Sequence, residues 1–220
     1  MSTREKADVS SRVIKPPNAP WIRLNAVEHS RAVLCYYYSD PRSKIPVREI
    51  SHRNDPKGDP NVETKTYGLF TPCHLKMRAK IVKDGIPLLF FCTRRASGVR
   101  ILTGYYQIGF YCPLPNTNGD FALAAKVARL VNPGFPLAEL RPYLRGYEID
   151  KWFRGSKSVD SVTANLLLQL LNDTPDATHD YVVEIHRLER ISKKRDGYLY
   201  RGKYPRGFSW KAARRLLIGS

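Results

Sequence analysis

The sequence predicts an α+β fold, a small mixed β-barrel with a few flanking helices. Three observations predict it. Short runs rich in aromatic and β-branched residues recur between residues 31 and 112, separated by turn signals, in the order of a meander. A clear helical period appears in one stretch, 158–173. Strand-like and helical stretches do not alternate regularly, which argues against a doubly wound parallel sheet.

Taken in order, residues 1–20 read as a flexible tail, polar and ending in PPNAP, where successive prolines favour an extended backbone. The domain proper is 21–191. RAVLCYYYS (31–39) is a strand. Residues 39–66 carry four prolines and many charges and read as a long exposed loop, with one short strand around 47–50; loops of that length are usually functional or disordered. LKMRAKIVK (75–83) alternates, with Leu75, Met77, Ala79 and Ile81 against Lys76, Arg78, Lys80 and Val82, so it reads as a half-buried strand with a cationic outer face. Asp84-Gly85 marks a turn, PLLFFCTRR (87–95) a buried strand, and VRILTGYYQIGFYC (99–112) a long strand. These three strands form a continuous meander in this reading. Gly104 and Gly109 predict bulges or close backbone approach within the last.

FALAAKVARLV (121–131) has alanines that favour a helix and a period-2 series that favours a strand. The strand is preferred because the long 99–112 strand needs a partner, and NPGFPL should end it. LAELRPYL (137–144) reads as a short helix. In 158–173 Ser158 or Asp160 can cap a helix whose apolar stripe is Val162, Leu166 and Leu170. DYVVEIHRLERI (180–191) alternates weakly and reads as a strand. Residues 192–220 form a basic C-terminal extension interleaved with Tyr198, Tyr200, Tyr204, Phe208 and Trp210.

Charge narrows the function. The chain has 37 Lys and Arg against 20 Asp and Glu, a formal net charge of +17. Such an excess repels itself in a compact state, and a polyanionic partner relieves it, which points to DNA or RNA. No apolar run approaches the ~20 residues needed to span a bilayer, and the polar N-terminus lacks the apolar centre of a signal peptide. No membrane association is expected. The four cysteines show no C-x-x-C pair. Cys35, Cys92 and Cys112 sit in apolar runs as small buried hydrophobes, so no metal set is read, and free thiols fit an intracellular location in cytoplasm, nucleoid or nucleus. No glycine-rich phosphate loop appears, no cofactor is implied, and nucleotide hydrolysis is not supported.

Three places carry candidate binding residues. Arg94, Arg95 and Arg100 sit around the turn between two apolar strands, where cations have no core duty and can reach phosphates as planar forks. Tyr36, Tyr37 and Tyr38 are consecutive, so both faces of a strand receive a ring, and one side must be exposed or line a cavity. Tyr105 and Tyr106 repeat the situation. In DKWFRGSKSVDSV (150–162), Trp152, Arg154, Ser156, Lys157 and Ser158 precede a helix, where backbone N–H groups, hydroxyls and a guanidinium can face an anion.

The order of KDGIPLLFF (83–91), RILTGYYQIGFY and FRGSKSVDSV (153–162) leading into a helix resembles the EVE and YTH-like branch of the PUA-like superfamily, over about residues 31–173. The chain departs from that pattern in lacking a tryptophan-rich opening and in carrying the extra 39–66 loop. The resemblance implies a PUA-like barrel that binds RNA or modified DNA bases in an aromatic cage. Tyr36, Tyr38, Tyr105 and Trp152 would then be the cage, with Ser156 and Ser158 near the phosphate or base edge.

The resulting expectation is a non-enzymatic nucleic-acid-binding protein that reads a modified or unpaired base. Two alternatives remain open. One is a metal-dependent nuclease using Asp176, just before a strand, with Asp180, Glu184 and His186 on that strand. The other is a basic subunit of a nucleoprotein assembly with protein partners.

Overall fold

The computed structural model describes residues 21–27, 31–50, 59–68, 74–113, 120–144 and 155–191. The expected tail (1–20), the C-terminal extension (192–220), Cys73, Trp152 and Arg154 lie outside them. Ten elements follow in the order β1 (Ile22–Arg23), β2 (Ala32–Tyr36), β3 (Thr66–Tyr67), α1 (Leu75–Asp84), β4 (Leu88–Arg94), β5 (Arg100–Pro113), β6 (Phe121–Pro136), β7 (Ser156–Val159), α2 (Ser161–Asn172) and α3 (Thr178–Ile191). The α+β class is as the sequence predicts. Seven strands make one mixed sheet in the order β3-β6-β5-β4-β2-β7, with β1 also on β5, and it curls into a half-barrel. Among the described residues β3 and β7 do not pair to close it.

Every neighbouring pair is antiparallel except β2 with β4. Both faces of the sheet are covered, which explains why β2 and β4 read as unbroken apolar runs. Val33, Cys35 and Tyr37 join Leu89 and Phe91 in one core under α1 and α3. Ala32, Leu34 and Tyr36 join Phe90 and Cys92 in a second core under α2 and the 137–144 turns. Each fully buried Leu, Ile or Phe in these layers contributes about 1.5–3 kcal/mol relative to exposure.

The 75–83 segment is a helix, not a strand, so the expected three-strand meander is wrong at its first member. A parallel β2–β4 pair needs a crossover connection, and α1 lies within it. Its buried residues are Met77, Arg78 and Ile81, and the buried arginine broke the helical pattern. The Arg78 guanidinium is held in a bidentate pair by Asp120, at 2.9 and 2.7 Å. The glycine that marked a turn is the helix C-cap: Gly85 takes a left-handed conformation and its N–H bonds Ile81 O.

Residues 180–191 also correct from strand to helix, within α3. Tyr181, Ile185 and Leu188 recur at four and three residues and enter the first core. The expected short helix at 137–144 is a succession of turns with amide bonds to residues three back, such as Glu139 to Pro136 O and Leu140 to Leu137 O. β6 is a strand, but NPGFPL does not end it. Leu102 pairs with Phe135 and Gly104 with Leu130, so residues 131–134 bulge out opposite Thr103. Gly104 has φ +151°, and a Cβ there would lie 2.2 Å from Arg129 O, which accounts for glycine at this kink.

Helix α2 starts where expected, with Asp160 accepting from the Thr163 N–H at 2.8 Å. Its predicted stripe is out of phase, however. Thr163, Ala164, Leu167 and Leu171 are buried, whereas Val162 is 69% and Leu166 41% exposed. The described parts of the 39–66 segment, 39–50 and 59–66, are not an exposed excursion either. Asp40, Val47, Arg48 and Ile50 are buried, and so are Asp59, Asn61 and Thr64. The buried pair Arg48–Glu63, at 2.6 Å, satisfies two charges that composition assigned to solvent.

Candidate nucleic-acid interface

Strand alternation puts Tyr36 and Tyr38 on one side of β2 and its extension, with Tyr37 on the other. Tyr37 is buried in the first core, its hydroxyl donating to Pro46 O. Tyr36 packs at the edge of the second core, 8% exposed, while Tyr38 is 45% exposed. Their rings meet edge to face with centroids 5.4 Å apart. Burial raises the Tyr36 phenol above its ordinary range, Tyr38 and Cys92 add to the effect, and Arg100 and Arg94 oppose it. Arg94 and Arg100 line the same cleft as Tyr36.

The arginines come from the end of the β4–β5 hairpin. Arg94 and Arg100 are direct cross-strand partners, and Arg95 begins the turn, with its N–H on Val99 O at 2.8 Å. Arg94 Nε donates to Gly98 O at 3.0 Å, turning the guanidinium over the hairpin. Ser39 Oγ donates to Arg94 O at 2.8 Å, tying the residue after Tyr38 to the hairpin end.

These groups line a cleft of about 920 Å³. Tyr36 and Tyr38 form part of its lining, Arg94, Arg95 and Arg100 another part, and the 40–46 loop brings Lys44. The β6 bulge supplies Asn132 and Pro133. The carboxylate in this lining, Asp40, is already engaged. It accepts from Arg42 Nε and Nη2 at 2.8 and 2.6 Å and from the Arg42 and Ile50 N–H groups. Burial works against its ionisation, but these donors outweigh burial and hold the Asp40 carboxyl below the usual range. Among the described residues the cleft is thus cationic, with aromatic faces and no carboxylate left uncommitted by its own network.

Of the expected site residues, the fold brings together Tyr36, Tyr38, Arg94, Arg95 and Arg100. It does not bring Tyr105 to them. The Tyr105 ring packs beside Phe90 in the second core, with its hydroxyl donating to Asn172 Oδ1 of α2 at 2.8 Å. Tyr105 pairs with the middle of β4, facing Phe90, whereas the cleft lies beyond the strand end. Ser156, Lys157 and Ser158 form β7 rather than a loop, paired to Cys35, Leu34 and Val33. They do not line the cleft, and Ser158 Oγ accepts from Lys80 of α1 at 3.1 Å. The resemblance implied Ser156 and Ser158 beside a ligand; strand pairing puts them on β7, away from this cleft.

The residues proposed for metal chemistry sit on or before a helix. Glu184 accepts from Ser43 Oγ at 2.6 Å and from Arg187 through both nitrogens. The Arg187 bonds lower its carboxyl pKa against a smaller opposing effect of burial. Asp176 accepts from the Thr178 amide and hydroxyl. Among the described residues no three His, Cys, Asp or Glu side chains converge to hold a metal ion.

Sequence reasoning missed Lys44 and Asn132. Lys44 belongs to the long loop, whose length hinted at function, and the NPG run at 132–134 is the trace of the bulge. A buried polar contact also escaped it. Cys35 Sγ lies 2.9 Å from Tyr67 Oη, which is 2.6 Å from His74 Nδ1. Comparison of the chain with models of known protein families and with curated proteins finds no match. No helix among the described residues is long and apolar enough to cross a membrane.

Proposed function

We propose that this protein binds nucleic acid and holds an unpaired or modified base in the cleft at the open end of its sheet. The observation that carries this reading is the convergence of Tyr36 and Tyr38 with Lys44, Arg94, Arg95 and Arg100 around one opening. Bases stack on tyrosine faces, and cations beside them take the backbone. A volume of about 920 Å³ lies within the range of ligand pockets and cannot enclose a duplex. The excess of 17 positive charges in the full sequence supports a polyanionic partner. Kinship with the EVE and YTH-like branch of the PUA-like barrels, which the sequence resembles, belongs to the same proposal; the curled mixed sheet is compatible with a small α+β barrel.

Fluorescence anisotropy with a labelled single-stranded oligonucleotide and the matching duplex tests the reading. The single strand should bind more tightly. Tyr38→Ala should weaken it ~5- to 150-fold, the equivalent of about 1–3 kcal/mol of stacking, with an unchanged unfolding temperature. Equal binding of strand and duplex, with no effect of Tyr38→Ala, would remove the base from the cleft.

A further inference from the structure

The helical state of 75–83 sorts its basic residues in a way that alternation concealed. At about 3.6 residues per turn, Lys76, Lys80 and Lys83 fall within an arc of about 60° on α1. All three are exposed, while Arg78 of the same segment is buried and held by Asp120. The stripe runs for about 10 Å along the helix axis. Among the described residues none of the three lysines is in an ion pair, and the nearby Asp84 pairs with neither Lys80 nor Lys83. Helix formation gains nothing from Lys76 and Lys80. Lysines four residues apart repel, and Lys76 sits in a first turn that has no acidic residue and whose dipole disfavours a cation.

The stripe has a fixed place on the sheet. Lys80 Nζ donates to Ser158 Oγ of β7 at 3.1 Å. Among the described residues β7 pairs with β2 alone, so the stripe lies along a sheet edge. His74, just before α1, has Nδ1 3.3 Å from Cys35 Sγ, and Ser158 pairs with Val33. The helix therefore runs along β2 from the level of Cys35 away from Tyr36 and Tyr38. At about 3.3 Å per strand residue, the level of Cys35 is about 10 Å from Tyr38. No residue of α1 lines the cleft. Phosphates recur every ~3.4 Å of a stacked strand, so a chain with one base in the cleft carries several more phosphates beyond it. Ammonium groups on flexible stems meet such a backbone as point charges and read no sequence.

We propose that the stripe of Lys76, Lys80 and Lys83 is a second contact surface for nucleic acid, holding the sugar–phosphate backbone of a strand beyond the base in the cleft. The inference rests on the nucleic-acid reading and adds to it a surface outside the cleft, on the α1 side of the sheet, opposite α2. Its contribution depends on strand length, because only a strand that reaches past the cleft meets it.

Anisotropy of the full chain with labelled single strands of ~3 and ~12 nucleotides tests this. The triple variant Lys76→Gln, Lys80→Gln, Lys83→Gln is compared with a control of equal charge change at other exposed positions, Arg23→Gln, Lys126→Gln, Arg190→Gln. Glutamine keeps the helix propensity of lysine, and circular dichroism melts check that both variants fold. The stripe variant should bind the long strand ~10- to 100-fold more weakly at about 0.1 M salt, with a salt slope shallower by about 2. Its affinity for the short strand should stay within ~3-fold of wild type, as should that of the control for both strands. Equal losses for the stripe and control variants, or for short and long strands, would overturn the proposal. If the long strand binds with Tyr38 dependence and the stripe variant changes nothing, the base pocket stands and the stripe falls. If the stripe variant behaves as expected and Tyr38→Ala has no effect, the backbone surface stands and the base leaves the cleft. If neither strand binds, the stripe falls with the nucleic-acid reading. Stripe-dependent binding to phosphatidylserine vesicles without binding to either strand would assign the lysines to a membrane and overturn the proposal.

Discussion

Tyrosine takes three different roles here, decided by what its hydroxyl meets. Tyr38 is open at the cleft, Tyr37 spends its hydroxyl on Pro46 O, and Tyr106 is buried with no hydrogen-bond partner for Oη among the described residues. The Tyr106 ring still packs edge to face on Phe91, with centroids 4.7 Å apart. Burial raises its phenol pKa well above the ordinary value, and the nearby Glu63 and Asp59 charges add to this. A buried hydroxyl without a partner carries a desolvation cost that no bond offsets. Tyr106→Phe should therefore leave stability within about 0.5 kcal/mol of wild type or raise it. Tyr37→Phe should cost about 0.5–1.5 kcal/mol, since it orphans a carbonyl. Urea unfolding distinguishes them, and a larger loss for Tyr106→Phe than for Tyr37→Phe would mean an ordered water satisfies Oη.

At the level of elements, the phase of α2 is the sharpest test. Both faces of this helix carry apolar residues, so the period in the sequence fits two orientations about equally. The packed face holds Ala164, Leu167 and Leu171 against Leu34, Phe90 and Tyr105. Leu167→Ala should cost about 2–5 kcal/mol, whereas Val162→Glu and Leu166→Lys should each change stability by less than about 0.5–1 kcal/mol. Denaturant midpoints check this, and a reversed order would restore the stripe of Val162, Leu166 and Leu170. The misread α1 has a related cause. Its alternation of apolar and basic residues was genuine, but Arg78 points inward to Asp120, 42 residues away. A pattern that sorts residues into polar and apolar cannot assign a buried charge without its partner.

For the molecule as a whole, the sheet end gathers charge that is scattered along the chain. Lys44, Arg94, Arg95 and Arg100 span 57 positions of sequence and meet around one opening. Binding of a single strand should therefore fall linearly on a logarithmic salt scale, with a slope near −0.7 per phosphate neutralised. The double change Arg94→Ala with Arg95→Ala should weaken binding to all sequences and make that slope shallower by about 1–2. Titrations at several potassium chloride concentrations measure it. A slope unchanged by the double substitution would place the contact surface elsewhere.

The tyrosines and arginines of the cleft were readable because their chemistry is local. Consecutive tyrosines on a strand must divide between two faces, and arginines at a hairpin tip are free of the core, whatever surrounds them. The α+β class, the β4–β5 hairpin and the Asp160 cap follow from equally local rules. Which tyrosine reached the cleft was settled by pairing between distant strands, which left Tyr105 facing Phe90 and turned Ser156 to Ser158 into a strand. The helical state of 75–83 and 180–191, and the face that α2 buries, depended on partners far away in the chain. Periodicity reports what a segment could bury, and only the folded sheet supplies the surface that chooses among the options.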